Sequence, residues 1–216
     1  MGHDFEYNCY DSYDLDDDPL KLVEALKKVS EADMVTFKVH GDTSYFKKFD
    51  RMDKILKETG VCTLLTCTDE CVTDAFRPYF SESFEDYKLT RAYMELGGDD
   101  NFSSLILWAL RTFDGLDVEI PEPNHPPSEG IYYPGRESID FETYIDGLDP
   151  SKPNIGIFFY QRQWLSKNTD GIDGLISAVE EKGGNPVPVF LMTYASEITG
   201  SIGVKRVLSE HLTRDG

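Results

Sequence analysis

The sequence lacks the motifs that mark the common nucleotide-binding and hydrolytic sites. It contains no GxGxxG and no GxxxxGK[ST], so the glycine-rich backbone cradle that holds dinucleotide or ATP phosphates is not supported. It contains no GxSxG either, so a serine nucleophile on a tight strand-to-helix turn is not indicated. These absences point away from nucleotide hydrolysis and from serine hydrolases.

Long apolar runs and a secretory leader are also absent. No stretch of the chain reaches the length of a membrane span, and the N-terminal residues 1–4 are polar and acidic. The four cysteines, Cys9, Cys62, Cys67 and Cys71, are too few and too clustered for a disulfide framework. We therefore expect a protein of the reducing cytoplasm that has no membrane partner.

Positive charge is scarce. The chain of 216 residues has 21 Lys and Arg against 40 Asp and Glu, which gives a formal net charge of -19. Such a surface repels phosphate backbones and anionic lipid, so nucleic acid is excluded as a first expectation. It is compatible with cations, basic proteins, a high-salt cytoplasm or plain solubility. Hydrophobic residues make up 40% of the chain, which is enough for a packed core.

The chain is organised around a strand–helix–strand stretch. Residues 155–160 and 187–192 are unbroken apolar runs, which predict parallel strands buried on both faces. Gly183-Gly184 predicts the end of the helix between them. One apolar stripe marks that helix at the i, i+3, i+4, i+7 spacing, formed by Ile172, Leu175, Ile176 and Val179.

The first part of the chain alternates in the same way. Asp18-Pro19 predicts a helix start, with Asp as N-cap and Pro at the first helical position. Strands are expected over 34–39 and 61–66, with a helix over 45–57 between them. This alternation is typical of a layered α/β domain.

Helices follow, and then the composition changes. We predict helices over 87–96 and 102–112, the second capped by 99–101. The Pro-rich segment that follows cannot continue a helix.

The predicted fold is α/β, with two layered Rossmann- or flavodoxin-like units and mainly parallel sheets. The predicted organisation is an N-terminal α/β domain over 1–116, a linker or crossover over 117–137, and a second α/β unit over 138–216. A last helix over 203–212 stops where a further strand is expected, so we expect the second unit to be truncated at its C-terminus.

The polar stretch 161–169 carries most of the candidate ligand-binding residues. It follows a buried strand, and loops in that position hold ligands in open α/β sheets. Arg162 suits a carboxylate, Trp164 suits a flat ring, and Asn168 adds an amide. The alternative is a loop that packs against a neighbouring domain.

Two further features could carry chemistry. His40 ends a predicted strand, so it is a candidate ligand contact or acid–base group, with a hydrogen-bonded turn histidine as the alternative. Cys62, Cys67 and Cys71 lack the spacing of a zinc knuckle and are read as small core residues. No metal site is therefore predicted, with a zinc or redox site as the open alternative.

Two ordered sets of residues carry a family resemblance. The first spans the organising stretch: 155–160, Asn168, Ile172-Asp173, Leu175-Ile176, Glu180, Gly183, Asn185 and 188–190. The second lies upstream: Ala32-Asp33, His40-Gly41, Gly97-Gly98 with Asn101, and 130–134. From about Pro19 to its end, the chain resembles the N-terminal part of the large subunit of cobaltochelatase (CobN) and of the magnesium chelatase H subunit.

The resemblance implies a function. Such subunits bind a tetrapyrrole and insert Co²⁺ or Mg²⁺ in cobalamin or chlorophyll biosynthesis, while separate AAA+ subunits hydrolyse ATP. Family members are much longer, so the chain resembles an excised segment or a short paralogue that binds no cofactor itself and is inactive alone. Its partners would be the remaining domains of the large subunit, the AAA+ subunits and the tetrapyrrole.

The metal-insertion residues of the family are expected in later domains, so no catalytic residue is assigned. His40 is the one family-like polar candidate. The alternative function is a stand-alone small-molecule-binding α/β module without catalysis, with a ligand near Trp164 and His40.

Overall fold

The computed structural model describes residues 5–41, 43–136 and 139–212. The chain divides into two compact units: unit 1 comprises residues 1–94 and 105–120, and unit 2 comprises residues 95–104 and 121–216. The boundary predicted between 137 and 138, and the chain beyond 212, lie outside the described residues. Both units combine helices with parallel strands, which confirms the α/β class. None of the described helices has the length and apolar character that crossing a membrane requires.

Unit 1 is built on two parallel strands, β1 (Met34–Val39) and β2 (Cys62–Cys67), which pair residue for residue. The helices in this part of the chain are α1 (Ser12–Asp17), α2 (Pro19–Glu31), α3 (Phe49–Thr59), α4 (Glu70–Ala75) and α5 (Phe84–Leu96), the last two residues of which belong to unit 2. A sixth helix, α6 (Gly98–Phe113), gives its first seven residues to unit 2 and the rest to unit 1. The predicted alternation of helix and strand is confirmed.

Two apolar clusters form the core of unit 1. One joins α2 to α3 through buried residues that include Leu22 and Leu56. The other packs Leu64 of β2 against the aromatic side chains of Tyr93 and Trp108. The Trp108 indole N–H donates to the Asp86 carboxylate at 2.8 Å, so this buried ring keeps a polar partner.

The helix predicted over 45–57 begins at Phe49 instead. The Asp16 carboxylate accepts hydrogen bonds from the backbone N–H groups of Lys47 and Lys48, both at 3.0 Å. Asp16 lies in α1, about thirty residues before these two N–H groups in the sequence. The local sequence therefore predicts the helix but not its first residue.

Unit 2 contains a three-stranded sheet with the order β3-β5-β4. Its strands are β3 (Gly130–Ile131), β4 (Asn154–Tyr160) and β5 (Asn185–Leu191), with a hairpin of β6 (Ala195–Ser196) and β7 (Ser201–Ile202). Its helices are α7 (Phe141–Asp146), α8 (Gln161–Leu165), α9 (Asp170–Glu181) and α10 (Val204–Val207), the last followed by a π turn, Leu208–Leu212. Strands β4 and β5 are parallel, and β3 is antiparallel to β5.

Helices cover both faces of the central strand β5. Val187, Val189 and Leu191 pack in one cluster with α7 and α10. Phe190 points to the other face and packs in a second cluster with Ile176 of α9. Since successive side chains of a strand alternate between faces, α9 and α10 lie on opposite sides of the sheet.

The prediction that both parallel strands are buried on both faces is confirmed for β5 and wrong for β4. Strand β4 lies at the edge of the sheet within the described chain, and α7 and α10 pack against β3 and β5. Phe158 and Tyr160 of β4 are therefore 50% and 64% exposed. In the predicted stripe of α9, Leu175 is likewise exposed, whereas Ile172 and Ile176 are buried.

The cap predicted over residues 99–101 is also corrected. Helix α6 begins at Gly98, so Asp99 to Asn101 lie within its first turn. The buried Asn101 amide donates to the carbonyls of Gly97 and Asn124, at 2.7 and 2.8 Å. Its side chain thus ties the Pro-rich segment to the start of α6, a use that sequence spacing does not show.

Adjacent residues of α9 provide a test of this packing. Ile176→Ala should lower the free energy of unfolding by about 2 to 5 kcal/mol, because it removes a side chain from the filled core. Leu175→Ala, on the exposed side of the same helix, should change it by less than about 0.5 kcal/mol. Urea denaturation of both variants checks the difference, and equal losses would contradict the described face of α9.

Candidate functional site

Buried polar side chains gather where the parallel strands of unit 2 end. Gln161 follows β4 directly, and Ser201 lies in the hairpin that follows β5; both are buried. Ser128 and Glu129 immediately precede β3, which begins opposite Phe190 near the end of β5. Because ligands of open α/β sheets bind outside the carboxyl ends of the strands, this edge is the candidate site of unit 2.

Side chains before β3 fasten the hairpin to this edge. The Ser128 hydroxyl donates to the Thr199 carbonyl, and the Ile202 backbone N–H donates to Glu129 Oε1 at 3.4 Å. Within the hairpin, Ser201 Oγ accepts from the Gly203 N–H at 3.1 Å. Hydrogen bonds therefore hold the hairpin at the carboxyl ends of the strands in a defined position.

The second carboxylate oxygen of Glu129 has no such bond. Oε2 is buried and has no hydrogen-bond partner among the described residues. A buried carboxylate oxygen costs free energy unless a donor, water or cation compensates it. Glu129 Oε2 is thus the one buried side-chain oxygen that the described residues of unit 2 leave without a donor. Sequence reasoning missed it because a single glutamate after a serine carries no motif.

The polar loop predicted over 161–169 is helical in its first half. Residues 161–165 form α8, where Gln163 Oε1 accepts the Tyr160 backbone N–H at 3.3 Å. Gln161 is held by a bond from its amide to the Pro127 carbonyl at 3.2 Å. The prediction of a loop was wrong for residues 161–165, where the Gln163 side chain caps the start of the helix at Tyr160.

The Arg162 side chain contacts other residues of unit 2. Its guanidinium donates to the Glu95 carbonyl at 3.3 Å, in the last turn of α5. Burial lowers the pKa of this guanidinium from its ordinary value. The Arg162 side chain lies so close to Gly97 that a Cβ at that position would be 2.8 Å from Nη1. The predicted contact with a ligand carboxylate stays a prediction, and the observed partner is a helix C-terminus.

Trp164 is also packed. Its indole ring stacks on Phe190 with centroids 4.2 Å apart and planes parallel. Phe190 has no exposed surface, so one face of the indole belongs to the core of unit 2. Trp164 itself is half-buried. Stacking on a ligand ring stays a prediction for the other face.

Asn168 is the most accessible of the predicted residues on this edge. Its backbone N–H donates to the Gln163 carbonyl at 2.8 Å, which closes the turn between α8 and α9. Lys167, with a φ of 56°, supplies the left-handed residue of that turn. The Asn168 side chain is exposed, and its contact with a ligand stays a prediction.

His40 belongs to unit 1, whereas the other three candidates belong to unit 2. It is exposed and immediately follows β1, which confirms its predicted position at a carboxyl strand end. The neighbouring Gly41 carbonyl accepts the Cys67 thiol at 2.8 Å, and the Gly41 N–H donates to Thr68 Oγ1 at 3.3 Å. This turn is therefore braced by β2, and its ligand role stays a prediction.

The cysteines divide by position. Cys62 is buried in the core of unit 1, as predicted, and burial raises the pKa of its thiol. Cys71 is exposed, so its reading as a core residue was wrong, and Cys67 is half-buried. Across residues 5–41, 43–136 and 139–212, no group of three His, Cys, Asp or Glu side chains could hold a metal ion.

A cavity of about 360 Å³ lies at the opposite end of the sheet. Its lining includes Tyr144, Asp149 and Asn185, the first residue of β5. The Asn185 amide donates to the Asp149 carbonyl and to Asn154 Oδ1, at 2.7 and 2.8 Å. The Tyr144 hydroxyl donates to the Pro186 carbonyl. These polar groups hold the amino ends of β4 and β5 together, so we assign the cavity no ligand.

A model of one protein family, described as CobN/Magnesium Chelatase, matches residues 91–216. The match includes every element of the carboxyl edge of unit 2. An uncharacterized protein of Methanocaldococcus jannaschii is 33% identical over 129 residues, which cover 57% of this chain and 10% of the relative. The aerobic cobaltochelatase subunit CobN of a Sinorhizobium species is 25% identical over 158 residues, which cover 68% of this chain and 12% of that subunit.

A solved structure is similar as well. It is the catalytic subunit of cobaltochelatase from Mycobacterium tuberculosis, with a TM-score of 0.48 and 21% identity, covering 82% of this chain and 14% of that one. The chain spans about a tenth of the length of the curated relatives it matches.

The contact of Arg162 with Gly97 can be tested by a pair of substitutions. Gly97→Ala and Gly183→Ala both place a side chain at positive φ, +67° and +79°, which costs about 1 to 2 kcal/mol. A Cβ at Gly183 meets nothing within 4 Å, whereas one at Gly97 meets Arg162. Gly97→Ala should therefore cost more unfolding free energy in urea denaturation.

The excess should disappear in an Arg162→Ala background, because the neighbour is then gone. An excess that persists there would show that Arg162 does not pack on this turn.

Proposed function

The chain belongs to the CobN/magnesium chelatase family, and from that premise we propose that it acts as part of a large, tetrapyrrole-binding chelatase subunit. The complete subunit would insert Co²⁺ or Mg²⁺ into a corrin or porphyrin, in the biosynthesis of a cobalamin- or chlorophyll-type cofactor. The metal ion and the tetrapyrrole are substrates in this proposal. By itself the chain would bind and orient rather than catalyse.

One observation carries the proposal: the family match over residues 91–216. That range contains β4, β5 and the helices and hairpin around their carboxyl ends. The match thus includes the place where an open α/β sheet binds ligands.

We propose that the carboxyl ends of the strands of unit 2 contact the periphery of the tetrapyrrole. The exposed Asn168 amide can donate to or accept from a peripheral carboxyl or amide group. A shift of the Glu129 side chain that exposes the buried Oε2 would let it accept from a peripheral amide N–H. Trp164 would act through its packing on Phe190, which fixes α8 at the strand end. His40, in unit 1, is proposed as a separate contact.

The proposal assigns ATP to partners. The chain has no glycine-rich phosphate loop, which supports hydrolysis of ATP, with its Mg²⁺, on separate AAA+ subunits. The remaining domains of the large subunit are the other proposed partners. The proposed setting is the cytoplasm, in keeping with four free cysteines.

A titration with a soluble corrin or porphyrin tests the proposal. We expect saturable binding with a shift of the tetrapyrrole absorbance and quenching of tryptophan fluorescence. Trp164 lies beside the proposed site and Trp108 is buried in the core of unit 1, so Trp164→Phe should remove most of the quenching. Asn168→Ala should weaken binding about fivefold, the loss expected for one hydrogen bond.

Ser166→Ala is the matched control, because Ser166 is exposed in the same turn. Its affinity should equal that of the unsubstituted chain. No binding up to the solubility limit would refute a tetrapyrrole contact in this segment. Saturable binding of unrelated small molecules in its place would favour a stand-alone binding module.

A further inference from the structure

Strand β4 has the features of an edge that another strand covers. It pairs with β5 residue for residue over all seven positions, so no bulge twists it away. Its sequence from Asn154 to Tyr160 contains neither a charged residue nor a proline. Proteins protect free edges with charges, prolines, bulges or short strands, and β4 has none of these.

The face of β4 that turns toward the α10 side is apolar as well. Gly156, Phe158 and Tyr160 share this face, and the Phe158 ring lies over Gly156. Phe158 and Tyr160 are 50% and 64% exposed, because α7 and α10 cover the neighbouring strands instead. Both the edge and this face are therefore uncovered in the described chain.

The chain topology identifies what belongs there. Helix α9 joins β4 to β5 on one face of the sheet, and α10 with its π turn leaves β5 on the other face. Crossovers between parallel strands are right-handed in about 98% of cases. A crossover on the opposite face must therefore run back in the opposite direction, from β5 toward β4. Strand β5 already has a neighbour on each side, so the first open position is the free edge of β4.

We propose that the free edge of β4 is the docking site of a further parallel strand, the one that follows the equivalent of the π turn in the longer relatives. This inference rests on the proposed function, because it takes the chain as part of a large subunit. The curated relatives are about ten times longer than their matched segments, so the polypeptide that would supply this strand exists in them.

Charge argues against a second copy of this chain as the occupant. Each copy carries a formal charge of -19, and pairing of two β4 edges would bring two such copies together. The strand that fits is apolar and neutral or basic, with side chains that cover Phe158 and Tyr160.

The added strand would also complete the ligand site. In the order β5-β4-new strand, α9 follows β4 on one face of the sheet, and the crossover from β5 to the new strand runs over the opposite face. The crevice therefore opens at the carboxyl end of β4. Gln161 and the turn containing Asn168 lie there. The loop after the docked strand would form the other wall of that crevice.

Hydrogen exchange on the purified chain tests the proposal. The probe is a domain-sized fragment, about 100 residues, that follows the equivalent of the π turn in the Sinorhizobium CobN subunit. On mixing, exchange of the amides over 154–160 should slow at least tenfold, because their outward N–H groups gain partners. Phe158→Lys should raise the dissociation constant at least tenfold by placing a charge on the covered face.

Leu175→Lys is the control, since Leu175 is about as exposed as Phe158 but lies on α9, which packs on the opposite face of the sheet. It should bind the fragment as the unsubstituted chain does. Unchanged exchange over 154–160, or equal binding by Phe158→Lys, would overturn the proposal. Concentration-dependent slowing without the fragment would overturn it too, by showing that a second copy covers the edge. The tetrapyrrole titration is independent: its failure with fragment docking intact would refute only the ligand role.

Discussion

Burial of β5 on both faces is the constraint on which unit 2 depends. All seven residues of this strand are buried, so the strand needs apolar elements above and below it. Helix α9 meets one face, α7 and α10 meet the other, and β3 and β4 take its two edges. The one polar side chain of β5, Asn185, bonds to the Asp149 carbonyl and to Asn154, at the amino end of the strand. Polar groups that can meet a ligand are therefore confined to the segments that begin or end at the strand termini.

Sequence reasoning succeeded where the cause of a structure is local. The helix start at Asp18 and Pro19 was predicted because a capping carboxylate and a fixed φ act within three residues. The βαβ unit was predicted because apolar periodicity reports which side of an element is buried. The exposure of β4 was not predictable in this way. An edge strand and a central strand can have equally apolar sequences, and the difference lies in which neighbours pack beside them.

The candidate residues show the same division. Arg162 and Trp164 have the chemistry of ligand contacts, and their position after β4 was correctly derived from the strand pattern. Their observed partners are the Glu95 carbonyl and the Phe190 ring, dozens of residues away in sequence. The side-chain type shows what a residue is able to bind, whereas only the tertiary structure shows which partner it has in the fold. Glu129 is the converse case, since its sequence context is plain and its buried oxygen is the distinctive feature.

Rigidity of the strand ends also has a consequence for binding. Backbone carbonyls accept hydrogen bonds from the side chains of Gln161, Ser128 and Arg162. These bonds hold α8 and the hairpin in position. Ordering these side chains therefore adds little to the entropic cost when a ligand arrives. Under the proposed function, a large flat tetrapyrrole held at its periphery would gain most from such a frame, because each peripheral contact would be weak and several would have to be made at once. In the proposed function the fold would supply position, and the polar groups of Asn168 and Glu129 would supply the contacts.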